Sequence, residues 1–192
     1  MLNQVGQVEA DAPEARVTRR VGGFTLFELL ITLVVAAVLL AIVVPNLSSF
    51  VSSSRLRATQ SEFVSALTLA RSEATKRGTD VVVEALGAVA GSKFVGGWRV
   101  VADTNGDGDL AGEPVIREYA ALAGQMKFTA RVGETTDDVD RATFTSRGFL
   151  KGAPPTSLKF TLCGPPGSAR SYTIKLEPIG IADVVEGTAA CT

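Results

Sequence analysis

From Phe24 to Val44 the chain is apolar at almost every position, interrupted only by Thr25, Glu28 and Thr32. A run with no polar face predicts a helix that lies in lipid or among other apolar helices. Beyond Pro45 the pattern changes. Leu56, Phe63, Leu67, Ala70 and Ala74 recur at steps of three, four and seven, while Arg57, Glu62, Arg71, Glu73 and Lys76 fall elsewhere, as on an amphipathic helix. Gly78, directly after Lys76-Arg77, is a good stop. Together these segments predict one helix of roughly 54 residues, about 80 Å if unbroken, with a bare first half and a single apolar stripe on its second half. That stripe needs a sheet to lie on. Short runs rich in Val, Ile, Phe, Thr and Tyr supply it at 81–85, 98–102, 114–119, 126–130, 142–145, 157–163 and 171–176. Gly, Pro and Asp clusters separate them, as expected of antiparallel strands.

Composition narrows the chemistry. The chain has 192 residues, so 148 lie beyond Val44 (192 − 44), enough to bury a core of ordinary size. With 19 basic and 20 acidic residues the formal net charge is −1, which leaves no global polycation for nucleic acid or anionic lipid. Histidine is absent, removing the commonest general base and metal ligand. The serines at 48–49 and 52–54 therefore read as hydroxyls bonding back to helix carbonyls rather than as nucleophiles, and no enzyme activity is expected. The two cysteines, Cys163 and Cys191, form no metal-ligand spacing. In an exported domain they read as one disulfide and in a cytosolic one as two thiols; the membrane segment favours the disulfide. It would close a loop of about 29 residues and stabilise by roughly 2–4 kcal/mol.

Glu28 is the one charge between Phe24 and Pro45. A carboxylate in hydrocarbon costs roughly 2.5–3.5 kcal/mol on insertion scales and is usually kept for a partner, although one helical turn into the segment it could also sit among headgroups. The preceding residues 1–23 are polar, carry Arg16, Arg19 and Arg20, and end in Gly22-Gly23. In a secretory signal the small-residue cut site follows the apolar region. Here the small residues come first, so a cut at Gly23 would leave the apolar segment on the mature protein. The arginines argue that the leader stays cytoplasmic while the rest is exported.

Gly23-Phe24-Thr25-Leu26-x-Glu28-Leu29-Leu30 with an apolar run reaching Pro45 resembles the class III signal of type IV pilins and type II secretion pseudopilins. The resemblance implies that a prepilin peptidase cuts after Gly23 and that Phe24 becomes the N-methylated first residue. It implies further that Glu28 pairs with the Phe24 amine of a neighbouring subunit, and that Pro45 is where the helix kinks.

The loop Asp103-Thr-Asn105-Gly-Asp107-Gly108-Asp109-Leu-Ala-Gly-Glu113 begins like a calcium loop, D-x-N-x-D-G. Its oxygens would wrap a hard cation. The twelfth position, however, is Pro114, and the flanks read as strands. An Asp/Asn/Gly hairpin turn is the favoured reading, and a Ca2+ site on Asp103, Asn105, Asp107, Asp109 and Glu113 stands as the alternative.

Gly97-Trp98 through Gly108, then Gly112-Glu113-Pro114-Val-Ile-Arg117, and Phe144-Thr-Ser-Arg147-Gly148 leading into Phe160-Thr-Leu-Cys163, resemble the FimT/GspH-type minor pilins and minor pseudopilins. This implies an α+β, pilin-like fold, a long N-terminal helix on two antiparallel sheets. Some FimT-type members take up DNA through a Gly-Arg-x-Arg segment. The matching stretch here, Gly180-Ile181-Ala182-Asp183, lacks both arginines, and from Arg141 onward Arg141, Arg147, Lys151, Lys159, Arg170 and Lys175 stand against Glu177, Asp183 and Glu186. That modest basic bias makes DNA the weakest of the partner readings.

The expected organisation is a cleaved leader at 1–23, a transmembrane and assembly helix at 24–45, an amphipathic half-helix at 46–78 and a β-rich periplasmic head at 79–192. The expected function is that of a minor pilin priming or joining a type IV pilus, with a minor pseudopilin of a type II secretion system as alternative and DNA uptake third. Expected partners are other pilin or pseudopilin subunits through the N-terminal helix, the prepilin peptidase and the inner membrane, which the chain would span once before entering the filament.

Overall fold

The structure, a computed structural model, describes residues 23–87, 91–152, 156–165 and 170–187, the side chains at 42–46 and 48 excepted. The leader through residue 22 and Cys191 lie outside the described residues. The chain divides into two compact units, 1–43 and 44–192.

Helix α1 runs from Leu26 to Arg77, 52 residues, close to the span that the hydrophobic pattern predicts. Its start is set by Thr25, whose hydroxyl accepts the Glu28 amide at 3.2 Å. Its end is set by Gly78, at φ 70°, whose N–H donates to the Ala74 carbonyl at 2.9 Å, a left-handed cap that a glycine adopts without a Cβ clash.

In the second unit eight strands form two antiparallel sheets. The first holds β1 (Asp80–Ala85), β2 (Trp98–Asp103), β3 (Val115–Tyr119) and β5 (Arg141–Phe144) in the order β3-β2-β1-β5. The second holds β4 (Lys127–Val132), β6 (Leu158–Cys163), β7 (Ser171–Leu176) and β8 (Ala182–Gly187) in the order β4-β6-β7-β8. The chain passes to the second sheet at β4, returns for β5, and goes back for the rest. A 3-10 turn, Lys93–Gly96, precedes β2.

Seven of the eight strands are those the alternation predicts. The eighth is a correction, because 182–187 was not expected to be a strand. Its sequence, Ala-Asp-Val-Val-Glu-Gly, carries two acids and a glycine, residues that depress strand propensity. It forms because it is an edge: β7 alone pairs with it, from Ser171↔Gly187 to Leu176↔Ala182. Charged side chains on such a strand also discourage pairing with foreign edges.

The core forms where the helix stripe meets the sheets. Leu56, Phe63, Ala66, Leu67, Ala70 and Ala74 are all buried. Phe63 is the centre. Its ring lies 4.8 Å from those of Phe128 in β4 and Phe160 in β6, 5.2 Å from Trp98 in β2 and 5.4 Å from Phe94 in the 3-10 turn. One helical side chain thus touches both sheets, in the edge-on and tilted ring geometries that aromatic quadrupoles favour.

Further along, Arg71 ties α1 to two loops. Its Nε donates to the Gly148 carbonyl at 3.0 Å. Gly180, at φ 76° in the turn between β7 and β8, sits so close that an added Cβ would run into that carbonyl and lie 3.1 Å from the guanidinium nitrogen. Only a glycine lets the β7–β8 turn, the β5–β6 connection and the helix meet there.

Candidate functional site

The first candidate is the N-terminal segment. Gly23 and Phe24 are exposed and precede the helix, so the peptide bond between them lies outside its hydrogen-bonded turns. Thr25 and Glu28 stand in the T-x-x-E spacing of a capping box. The hydroxyl of Thr25 is used on the Glu28 amide, and the Leu29 amide closes on the Thr25 carbonyl at 3.2 Å. The Glu28 side chain is exposed. Among the described residues nothing binds its carboxylate, which stays available while favoured by the positive end of the helix.

Past this cap every described side chain through Ala41 is exposed, among them Leu26, Phe27, Leu29, Leu33, Leu39 and Leu40. Such a surface cannot remain in water as it stands, and needs lipid or other apolar helices around it. Among the described residues no helix is long and apolar enough to cross a membrane; the described side chains are interrupted at residues 42–46, of which 42–44 are Ile-Val-Val in the sequence. The helix backbone continues through Pro45, although proline has no N–H for the helical bond and removes one rung. The boundary between the two units falls at Val43/Val44, just before it.

The acidic loop after β2 spends its carboxylates on its own backbone. Asp103, 2% exposed, accepts the Gly106 amide at 2.7 Å and the Gly108 amide at 3.1 Å on its two oxygens. Asn105 accepts the Asp107 amide, Asp107 the Asp109 amide and Asp109 the Ala111 amide. Glu113 accepts both the amide and the hydroxyl of Thr104. This is a chain of Asx turns, the favoured reading of the sequence. Among the described residues no three acid or thiol groups converge to hold a metal. Adding millimolar Ca2+ is expected to leave the Tm unchanged; a rise of several degrees would show that the cation recruits these acids.

The basic residues of the C-terminal region are largely paired. Of the six cations counted from Arg141 onward, five face a carboxylate: Arg141 with Asp140 at 3.5 Å, Lys151 with Asp80 at 2.6 Å, Lys159 with Glu134 at 2.9 Å, Arg170 with Glu186 at 3.1 Å and Lys175 with Glu177 at 2.8 Å. Hydrogen bonds to Asp80 and Glu177 raise the Lys151 and Lys175 ammonium groups above their usual pKa. A polyanion would have to compete with these partners at each position. The segment 180–183 forms the end of the β7–β8 turn and the start of β8. Cys163, at the end of β6, is disulfide-bonded.

Thr25 and Arg71 are the residues that the sequence reading passed over. The T-x-x-E spacing could have revealed Thr25. Nothing local marks Arg71, whose role depends on two loops that lie 77 and 109 positions further on (148 − 71 and 180 − 71).

Comparison with known proteins gives two family matches. Residues 18–44 match the prokaryotic N-terminal methylation motif, and residues 59–180 match the family described as type II transport protein GspH. No curated protein sequence matches the chain. Among solved structures, the type IV minor pilin FimU of Pseudomonas aeruginosa (strain PAO1) is similar with a TM-score of 0.55 at 20% identity, covering 71% of this chain and 92% of that one. The minor pseudopilin EpsH from the type 2 secretion system of Vibrio cholerae is similar with a TM-score of 0.50 at 12% identity, covering 68% and 96%. At these identities the likeness is one of fold, and it bears out the pilin-like α+β architecture.

Proposed function

The chain belongs to the GspH family of type II transport proteins, and we propose that it is a minor structural subunit of a pilin-type filament, a type IV pilus or the related pseudopilus of a type II secretion system. The observation that carries this reading is the joint presence of a methylation motif at 18–44 and a GspH head at 59–180 on one chain. Helix α1, which runs from the first match into the second, is capped at Thr25 and exposes apolar side chains all round through Ala41. A peptidase removes residues 1–23, the amine of Phe24 is methylated, and the apolar half of α1 holds the subunit in the inner membrane with its head in the periplasm. The subunit then leaves lipid for a bundle of like helices, where Glu28 pairs with the amine of a neighbouring Phe24. Two charges that are each costly in lipid neutralise one another there. The role is one of assembly rather than catalysis, and the disulfide joins Cys163 to Cys191.

The mass spectrum of the purified mature protein tests the processing step. An N-terminus at methylated Phe24 is expected, and an intact Met1 would overturn the reading. Co-purification with pilus or with secretion-system subunits then distinguishes the two machines.

A further inference from the structure

Within the second unit a groove of about 510 Å³ opens between α1 and β3, the strand at one end of the first sheet. That volume lies in the range of sites that hold a ligand. On the helix side it is lined by Arg55, Ala58 and Glu62, spaced at three and four residues and so on one face of α1. On the strand side it is lined by Arg117 and Tyr119. Trp98 of β2, stacked on Tyr119 with ring centroids 5.2 Å apart, also lines it. Trp98 is buried, and among the described residues its indole N–H has no acceptor, although a buried indole usually finds one.

The strand wall is an open edge. Among the described residues β3 pairs with β2 alone, so every second residue turns its N–H and C=O outward without a partner strand. Two rows of facing side chains cross the sheet and end there. On one face Arg141, Glu84, Arg99 and Glu118 lie opposite one another from β5 to β3, alternating in sign. Glu84 holds Arg99 at 2.8 Å and Arg141 at 3.9 Å, whereas Glu118, at the edge, has no ion pair among the described residues. On the core face Ala142, Val83 and Val100 lead to Arg117. Its guanidinium lies 5.0 Å from the centre of the Tyr119 ring, and it too has no ion pair among the described residues. Consecutive residues of the edge thus present an acid on one face and a base on the other, both unmatched.

We propose that this groove takes an extended segment of a different protein as a fifth strand of the sheet, antiparallel to β3, with a basic residue opposite Glu118 and the acidic residue that follows it opposite Arg117. The order of charges comes from the geometry. An antiparallel strand runs backwards past β3, so the residue facing position 118 precedes the residue facing 117, and facing side chains share a face. The base extends the alternating row, the acid closes the row that ends at Arg117, and a small apolar residue before them faces Tyr119, beside Ala58. In strand addition the main-chain hydrogen bonds give affinity and the side-chain sites give selectivity. A second copy of this chain does not meet the requirement: paired with itself over its full length, two-fold about its middle residue, β3 would set Arg117 against Arg117, like charges directly opposite. With Arg55 and Arg117 against Glu62 and Glu118 on its walls, the groove selects an order of charges rather than a net charge. Strand addition here is independent of leader cleavage and of membrane placement.

The test uses the full chain in a maltoside detergent and follows Trp98, the single tryptophan of the sequence, by its fluorescence and its indole N–H signal in NMR. The probe is acetyl-Thr-Val-Lys-Glu-Val-Thr-amide, and the control is the charge-exchanged acetyl-Thr-Val-Glu-Lys-Val-Thr-amide. The Lys-Glu peptide is expected to shift the Trp98 signals saturably with a Kd below about 1 mM, and the Glu-Lys peptide to bind at least about tenfold more weakly. The double variant Arg117→Glu, Glu118→Lys, with its fold checked by circular dichroism and Tm, is expected to invert that preference. Of two Lys-Glu peptides N-methylated at alternate residues, in the two possible phases, one should lose binding and the other keep it, because only one set of amides faces β3. Equal binding of the two charge orders, or binding kept in both methylated phases, would overturn strand addition. No saturable shift with either charge order at millimolar levels would overturn the site itself.

Discussion

Phe63→Ala is expected to destabilise the head by about 3–5 kcal/mol, the range for truncating a buried aromatic ring. The ring is fully buried and lies within 5.4 Å of four other aromatic rings, drawn from both sheets and the 3-10 turn. Its removal leaves a cavity that neither sheet can fill by itself, because each is held in register by its own ladder. Folding stability is typically about 5–15 kcal/mol, so the loss is a large share of it, and Tm should fall by roughly 6–20 °C in a unit of this size. The control is Glu62→Ala, one position away and exposed, expected within about 0.5 kcal/mol of the parent. Thermal melts of the two variants decide the matter. A Phe63→Ala protein that melts within a degree or two of the parent would mean that the helix stripe does not hold the two sheets together.

The helix was legible because its signals are local and redundant: a continuous apolar run, a stripe at helical spacing, a glycine stop. All five expected stripe residues are buried. Seven strands were legible for a similar reason, since the alternation of Tyr172, Ile174 and Leu176 with Thr173 and Lys175 is a strand signature whatever pairs with it. β8 was not, because its existence depends on the free edge of β7 rather than on its own residues. The calcium-like loop was legible in two ways, because acids at alternate positions suit a motif for cation binding and equally a motif for capping backbone amides; in the structure Asp103, Asp107 and Asp109 cap backbone amides.

The largest functional effect is expected at Glu28. Glu28→Gln should leave the subunit inserted in the membrane and cut its recovery in sheared filaments by about tenfold or more, since removing one member of a buried charge pair costs roughly 3–5 kcal/mol and 1.4 kcal/mol is already a factor of ten. The structure raises a competing account that must be separated from this one. Glu28 is the third residue of a helix capped by Thr25, and its carboxylate also favours the helix start through the macrodipole, by about 0.3–1 kcal/mol. If Glu28 acts only there, losing the Thr25 hydroxyl should do as much harm, because an N-cap is worth about 0.5–2 kcal/mol. Thr25→Ala is therefore the discriminating partner. With pairing across subunits, Thr25→Ala assembles nearly as well as the parent while Glu28→Gln does not. With capping alone, the two variants lose filament incorporation together. Among the described residues the exposed Glu28 carboxylate has no partner, so it is available for the first outcome, and the recovery of the two variants decides between them. Equal recovery of Glu28→Gln and parent in the filament fraction, at equal amounts in the membrane, would remove Glu28 from the assembly contact altogether.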